Sequence, residues 1–302
     1  MKSCICNRRY RRISIDNHEL YDGSSISEWI EKIRNIFKYA NLKWSISYEL
    51  FITDVYELYH RNIPFHNHTH AYDVLQLGVC LLVSCKVLFN RLSYNQRFTF
   101  CAALLCHDID HRGFTNYQIE INESINTKKM VWDTSQMESD SDDVSSVCSS
   151  SSHNEKHHIY TTCKLLKKHN IMYDKALFGN IVSHTDLILH KTFVEHMTND
   201  AQKPKQIENQ LVLLMKLADI GHIFRPWKTH LHFVHAINME RDTPLNKSEL
   251  PKDTLCFNAT FVYSLLVILK EVDTSLYKTL LKKYDVNRDK WTGIHDFLNI
   301  QL

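Results

Sequence analysis

Histidines and carboxylates gather at three points of the sequence, and these residue types can hold metal ions. The clusters are FHNHTH at residues 65–70, CHDIDH at residues 106–111 and LAD at residues 217–219. Each cluster adjoins an apolar stretch, so three predicted helix ends would bring imidazoles and carboxylates together. Nitrogen and oxygen ligands of this kind suit zinc, manganese or magnesium.

The spacing within the first two clusters favours a metal site over ordinary core histidines. His66 and His70 are four residues apart, as are His107 and His111, which predicts that each pair shares one helix face. Asp108 directly follows His107. A single buried histidine is usually a satisfied core residue, but burying several charges without a cation carries a large desolvation cost for each. We therefore predict a metal site at these residues.

Apolar residues recur at helical spacing through most of the chain, and they predict the elements that position these clusters. Ser25 and Glu28 form a capping-box pattern at the start of a first helix that extends to Ala40. No stretch alternates as a strand does, so we expect an all-α fold, a compact multi-helix domain over residues 23–302. The further helical stretches are predicted at residues 46–59, 74–88, 98–105, 159–166, 177–187, 211–218, 233–239 and 261–272.

The composition supports this fold class and excludes several others. Only 6 of the 302 residues are Gly and 5 are Pro, where average usage gives roughly 20 and 15, and this argues against barrels and sandwiches. The 44% of hydrophobic residues suffice for a sizeable core. A net charge of +2 provides no field that would attract polyanions, so we expect no nucleic-acid partner.

The sequence also bears on location. The apolar stretch at residues 261–269 is shorter than the ~20 residues that a spanning helix needs, so we predict no transmembrane segment. The N-terminus lacks the apolar run of a signal peptide, and nine cysteines without regular spacing are typical of reduced thiols. We therefore expect a cytoplasmic protein.

Two segments differ from the rest in composition. Residues 1–22 are polar and basic and are predicted to form a tail. In it, Cys4 and Cys6 adjoin arginines and are either plain surface thiols, the reading we favour, or acylated residues that provide weak membrane association. Residues 133–154, DTSQMESDSDDVSSVCSSSSHN, are rich in serine and acid and are predicted to form a disordered surface insertion.

The strings FHNHTHAYDV, HDIDHRGFTNYQI and LADIG resemble the signatures of class I cyclic-nucleotide phosphodiesterases, which belong to the HD-domain metal phosphohydrolases. The resemblance covers residues 46–291 in the right order. It implies an all-helical enzyme that hydrolyses the 3′ phosphoester of cAMP or cGMP at a centre with two divalent metal ions.

The resemblance implies the metal ligands residue by residue. His70, His107, Asp108 and Asp219 match the family's ligands of the tighter metal, which is usually zinc. Asp108 also matches a ligand of the second metal, which is magnesium or manganese. Two such cations would lower the pKa of a water between them and neutralise the phosphoryl oxygens.

Three further residues match supporting roles. His111 corresponds to a residue that orients water at the second metal, and Glu155, in NEKHHIYTTCKLL, to a glutamate behind that metal's ligands. His66 matches the family's general acid. A histidine suits this role, since an imidazolium near its ordinary pKa can protonate the leaving O3′ at physiological pH.

The predicted purine pocket departs from the family pattern. Asn258 stands where the family has a glutamine, which shortens the amide by one methylene, while Phe261 matches the aromatic clamp that stacks on the base. His222 stands where many members have asparagine. The segment between Glu240 and Asn258 is about a dozen residues shorter than the resemblance leads us to expect.

These departures leave two alternatives to a cAMP or cGMP phosphodiesterase. One is a diverged paralogue that binds metal or nucleotide with weak or no activity. The other is an HD-type hydrolase of another nucleotide phosphoester. The complete set of metal ligands and the general acid favour an enzyme, whereas Asn258 and the short segment favour a changed substrate.

Overall fold

A computed structural model of the protein describes Ile15 and residues 25–124 and 152–300. Within these residues the chain is helical, with no strand, which confirms the predicted all-α fold. The helices are α1 (Ile26–Tyr39), α2 (Ile46–Leu58), α3 (His68–Ser84), α4 (Lys86–Arg91), α5 (Tyr94–Cys106), α6 (Asn116–Ser124), α7 (His153–Lys168), α8 (Lys175–Ser183), α9 (His190–Asn199), α10 (Ile207–Asp219), α11 (Trp227–Glu240), α12 (Glu249–Phe257), α13 (Tyr263–Val272) and α14 (Thr274–Ile300).

The first helix begins as its sequence predicts. The Oγ of Ser25 accepts a hydrogen bond from the backbone N–H of Glu28 at 3.1 Å. This bond satisfies one of the free N–H groups that every helix leaves at its start. Trp29 and Ile33 on the inner face of α1 are fully buried, so the apolar stripe faces the core.

Helix α3 lies at the centre of the molecule, packed between α5 and α10. It is surrounded by other elements, and every residue from His70 to Leu82 is buried. Gly78 permits the close approach of α5, because a Cβ atom there would lie 2.3 Å from the Cδ2 of Leu104. Such contacts bring the N-terminal end of α3 next to the C-terminal ends of α5 and α10.

A buried ion pair ties α3 to the segment that follows α10. Arg225 Nη2 lies 2.8 Å from Asp73 Oδ1, and both side chains are at most 3% exposed. Asn287 on α14 donates through Nδ2 to the carbonyl oxygens of Ile223 and Arg225, at 2.6 and 2.8 Å. The turn after Asp219 is therefore fixed by contacts with both α3 and α14.

Several predicted boundaries were wrong, for local reasons. His66 precedes α3, and His111 lies beyond the end of α5, so neither predicted histidine pair shares a helix face. The stretch 74–88 breaks at Cys85 into α3 and α4, and α8 already ends at Ser183. Helices α6, α9, α12 and α14 were not predicted, because their apolar residues are sparse or interrupted by charge.

The two unusual segments lie mostly outside the described residues, as do Cys4 and Cys6. Within the predicted tail, Ile15 is 7% exposed and contacts the core, so this residue is not part of a free tail. The end of the predicted insertion is also wrong, since Ser152 is buried and helix α7 begins at His153. The six described cysteines are free thiols.

One helical run, Glu249–Val272, is long and apolar enough to cross a membrane by length and composition alone. It comprises α12, a π-helical turn over Asn258–Val262 and α13. Val262, Leu265 and Leu269 on this run belong to the main hydrophobic core, and 33% of its most apolar window is buried inside the fold.

Candidate active site

Four predicted metal ligands meet where three helix ends converge. His70 lies in the first turn of α3, His107 and Asp108 follow the last turn of α5, and Asp219 ends α10. The Nε2 atoms of the two histidines are 3.3 Å apart, and each lies 3.2 Å from Asp219 Oδ1. Asp108 Oδ2 lies 3.0 Å from His107 Nε2. The four ligand atoms all fall within 4.8 Å of one another, and we call these residues the quartet.

The local sequence holds the ligands of the quartet in this arrangement. Asn67 caps α3, and its Oδ1 accepts from the backbone N–H of Thr69 at 2.8 Å and of His70 at 3.3 Å. His107 Nδ1 donates to the carbonyl oxygen of Leu104 at 3.2 Å, so the lone pair of neutral His107 is on Nε2, towards the quartet. Such an outer hydrogen bond is typical of metal-binding histidines.

The chemistry of the quartet fits a divalent cation. Two neutral imidazoles and two carboxylates supply two nitrogen ligands, two oxygen ligands and two negative charges, which suits zinc. Asp108 Oδ2 is buried and accepts no hydrogen bond in the part of the chain that the structure describes, since the Nε2 atom 3.0 Å away is the unprotonated nitrogen of neutral His107. A buried carboxylate oxygen without a hydrogen bond is costly, and a cation would satisfy it.

The two carboxylates of the quartet are ionised at neutral pH. Burial raises the pKa of Asp108 and of Asp219, but the surrounding histidines, with His107 the strongest among them, together lower both by more, so that each pKa lies below its usual range. The same charges raise the pKa of His107 despite its burial. The site therefore attracts positive charge, from a proton or from a metal ion.

A second group, His66, His111 and Glu240, adjoins the quartet. The imidazole rings of His66 and His111 have centroids 4.1 Å apart. His66 Nδ1 hydrogen-bonds Glu240 Oε1, while Glu240 Oε2 accepts from the backbone N–H groups of Phe65 and His66 at 2.8 and 3.1 Å. Glu240 therefore binds both the side chain and the backbone of His66.

The charge around His66 favours its protonated form. Burial lowers the pKa of His66, but the negative charges of Asp108 and Glu240 raise it more, so that it lies above its ordinary value. The opposite holds for His111, whose pKa burial and the nearby charge of His66 lower. The Nδ1 of His111 accepts from the backbone N–H of Gly113 at 3.0 Å, so neutral His111 carries its proton on Nε2.

Glu155 on helix α7 lies near a second carboxylate, Asp186, which follows α8. Its Oε2 accepts from Asn116 Nδ2 at 2.9 Å, and Asp186 Oδ2 accepts from Ser152 Oγ at 2.6 Å. Burial and the charge of Asp186 raise the pKa of Glu155 to about 7. His158 on the same helix aims a buried Nε2, without a hydrogen-bond partner among the described residues, at Asp108 Oδ1 from 4.0 Å.

The turn between His107 and His111 depends on Asp110. This residue has a φ of 60°, in the left-handed region that aspartate tolerates better than most residues. Its carboxylate accepts from His60 Nε2 at 2.7 Å and from His157 Nε2 at 3.0 Å. Asp110 thus ties the turn to α7 and to the segment after α2.

The residues of the predicted purine pocket lie in different elements and contact different neighbours. His222 is buried beside Phe65, at 6.4 Å between centroids, and the ring of Phe65 in turn contacts His70 at 4.3 Å. Asn258 is 2% exposed, and its Nδ2 has no hydrogen-bond partner among the described residues. Phe261 is half-buried, in ring contact with His190 at 4.9 Å.

Sequence reasoning missed Glu240, His158 and Asp186 as members of the site. Glu240 ends α11 as Asp219 ends α10, and a carboxylate at a helix end was the signal available. His158 adjoins His157 three residues after Glu155, and Asp186 lies in the string HTDLILHK at residues 184–191. Glu240 and Asp186 lack the dense spacing that marks residues 65–70 and 106–111, whereas His158 lies in the equally dense run HNEKHH at residues 153–158, and this run was the signal available for it.

Comparison with known proteins is consistent with this geometry. The model of the family described as 3'5'-cyclic nucleotide phosphodiesterase matches residues 65–249. The chain is 27% identical over 282 residues to the 3',5'-cyclic-nucleotide phosphodiesterase regA of Dictyostelium discoideum, covering 80% of this chain and 32% of that protein. It is 27% identical over 241 residues to the cGMP-specific 3',5'-cyclic phosphodiesterase alpha of Plasmodium falciparum, covering 72% of this chain and 24% of that protein. The chain thus spans a third or less of the length of these relatives.

The fold is similar to a solved structure over nearly its full length. The phosphodiesterase domain of the RhoPDE fusion protein from the choanoflagellate Salpingoeca rosetta superposes with a TM-score of 0.75, at 20% sequence identity. The superposition covers 96% of this chain and 97% of that chain. The all-helical architecture is therefore shared.

Proposed function

This chain belongs to the 3'5'-cyclic nucleotide phosphodiesterase family, and we propose that it hydrolyses the 3′ phosphoester of cAMP or cGMP to the 5′-nucleoside monophosphate. The observation that carries the proposal is the quartet of His70, His107, Asp108 and Asp219 with the His66–Glu240 pair beside it. One group is suited to bind cations and the other to donate a proton, and both are needed to cleave a phosphoester.

The quartet would hold the first cation, for which we propose zinc. A second cation, magnesium or manganese, would bind Asp108 with the support of Glu155 and Asp186, since these ions prefer oxygen ligands. When bound, the two cations supply a water of lowered pKa as the nucleophile and offset negative charge on the phosphoryl oxygens. His111 has its Nε2–H available to orient a water.

His66 would supply the proton that the leaving O3′ needs. Because its Nδ1 is held by Glu240, the proton must leave from Nε2. The raised pKa of His66 favours the protonated imidazole that this role requires. Glu240 then stabilises the cationic form before transfer and keeps the ring in one orientation throughout.

Recognition of the base is proposed for His222, Asn258 and Phe261. His222 adjoins the aromatic residues around the quartet, and the unpartnered Nδ2 of Asn258 is a donor that a ligand or water would satisfy. Phe261 would stack on the purine, a contact that does not depend on the identity of the base.

The test is hydrolysis of cAMP, cGMP and a generic phosphodiester by the purified protein with Mg²⁺ and Mn²⁺ added. We expect the 5′-nucleoside monophosphate as product. Asp108→Asn should lower the activity by a factor of at least about 10³, since this carboxylate would hold the cations that offset negative charge on the phosphoryl group. The exposed Asp289→Asn is the matched control.

Other results would overturn the proposal in distinct ways. Cleavage of the generic diester without cyclic-nucleotide cleavage would indicate another phosphoester as substrate. Bound metal without any hydrolysis would indicate a binding protein.

A further inference from the structure

His222 is one end of a chain of three hydrogen-bonded rings that extends to helix α14. Trp291 on α14 donates from Nε1 to His230 Nε2 at 2.7 Å. His230 on α11 contacts His222 through their Nδ1 atoms, which are 2.8 Å apart. All three residues are buried, with Trp291 3%, His230 0% and His222 6% exposed.

The protons in this chain have only one arrangement when both histidines are neutral. The indole Nε1 of Trp291 can only donate, so His230 Nε2 must accept and carries no proton. The proton of His230 is then on Nδ1, which donates to His222 Nδ1. His222 must accept there, so its own proton is on Nε2.

Both histidines are neutral across the physiological pH range. Burial and the neighbouring His222 lower the pKa of His230 to about 2, and burial lowers the pKa of His222 to about 4. Protonating His230 would also place a donor on Nε2 against the N–H of Trp291. An additional proton on these rings would therefore place two N–H donors against each other.

The free end of the chain is the Nε2–H of His222. Within the described residues the hydrogen bond of His222 is made through Nδ1, and the side chain is 6% exposed. The ring of His222 lies 6.4 Å from that of Phe65 and 6.0 Å from that of Phe233, and both phenyl rings contact His70 of the quartet. His222 and His70 of the quartet therefore pack against the same two phenyl rings.

We propose that Trp291 and His230 are positioning residues that fix the tautomer of His222, so that His222 presents an N–H donor, and never an acceptor, to the base of the bound nucleotide. This inference rests on the proposed function for the identity of the ligand. An amide at this position offers both a donor and an acceptor. A donor alone can bond N7 of either purine or O6 of guanine, but cannot bond the N6 amino group of adenine.

Nuclear magnetic resonance of the protein with ¹⁵N-labelled histidine tests the tautomers without any assay of activity. We expect opposite tautomers, with the proton of His230 on Nδ1 and that of His222 on Nε2. A proton on Nδ1 of His222 would overturn the proposal even if the protein hydrolyses cyclic nucleotides. The expected tautomers would support the proposal even if the protein does not hydrolyse cyclic nucleotides.

A double-mutant cycle tests the consequence for substrate. Trp291→Phe removes the indole donor and keeps an aromatic ring, so the tautomers become free to exchange. The KM should rise about three- to tenfold, the worth of one hydrogen bond, with most of the effect in KM and not in kcat. In a His222→Asn background, which has no tautomer to fix, Trp291→Phe should cause no further rise.

Trp227→Phe is the matched control for aromatic packing. Its ring contacts those of His230 and Trp291 at 5.8 and 5.1 Å, but its indole makes no hydrogen bond within the described residues. This substitution should leave KM unchanged. An equal rise of KM for Trp291→Phe in the wild-type and His222→Asn backgrounds would show that Trp291 acts through packing alone. This result would overturn the proposal that Trp291 fixes the tautomer of His222.

Discussion

Glu240 and His66 lie 174 residues apart in the sequence, and three hydrogen bonds join the Glu240 carboxylate to the segment that contains His66. One carboxylate oxygen binds the imidazole Nδ1, and the other accepts from the backbone N–H groups that precede α3. The end of α11 is thereby fastened to the start of α3. This arrangement gives the proposed acid a fixed orientation and a partner of opposite charge.

Glu240→Gln should shift the alkaline limb of the pH–rate profile to lower pH. The active form of His66 is protonated, so activity is lost as pH rises through its pKa. The negative charge of Glu240 raises that pKa, and glutamine removes the charge while keeping an acceptor for Nδ1–H. The measurement is kcat from about pH 5 to 9, a range that spans the ordinary histidine pKa. The exposed Glu271→Gln should leave the pH–rate profile unchanged. If the alkaline limb does not move in Glu240→Gln either, Glu240 does not set the pKa of the general acid.

His66→Ala should slow hydrolysis by about 10²- to 10⁴-fold, the usual contribution of general acid catalysis. The loss should be much smaller for a nitrophenyl phosphodiester, whose leaving group needs no proton. Metal content should not change, because His66 lies outside the quartet and its Nδ1 is hydrogen-bonded to Glu240. Equal losses on both substrates would contradict the proton-donor role.

Asp219→Ala should remove the tightly bound metal. The carboxylate contacts both histidine Nε2 atoms of the quartet at 3.2 Å, so its loss leaves one charged ligand instead of two. Metal analysis after dialysis should show less than about a tenth of an equivalent, against about one in the wild type. Asp296→Ala, at an exposed position on α14, is the control. A full equivalent retained by Asp219→Ala would mean that the cation binds elsewhere.

Arg225→Ala should destabilise the protein by about 3–5 kcal/mol, because it removes the cation that faces the buried Asp73 carboxylate. Arg241→Ala removes an ion pair of similar length, to Asp253 at 2.7 Å, whose side chains are 37% and 40% exposed. This surface variant should cost at most about 1 kcal/mol. Urea unfolding measures both. Similar losses in the two variants would argue that the Asp73 pair is solvated.

The helical architecture and the metal ligands could be predicted from the sequence because their signals are local. Apolar residues at a spacing of three and four positions indicate helices wherever they occur, and few strand or turn signals compete with them. His70, His107, Asp108 and Asp219 were found because the first three lie in dense clusters and the fourth ends an apolar helix. The family signatures then assigned their roles.

The helix ends around those ligands were decided by capping, which the spacing does not reveal. Asn67 starts α3 at His68 because its side chain accepts from two backbone N–H groups, and His66 is thereby left outside the helix. The pairing of residues four apart therefore failed at His66 and His111, although the ligands themselves converge as predicted.

Only the tertiary structure decided which distant side chains complete the site. Glu240 reaches His66, and Trp291 reaches His222 through His230, because α11 and α14 pack where their apolar residues are covered. That packing depends on contacts among many helices and leaves no periodic trace near any one residue. The sequence by itself determined the all-α fold and the types of ligand, whereas the orientation of the proposed acid and the tautomer of His222 arise from long-range packing.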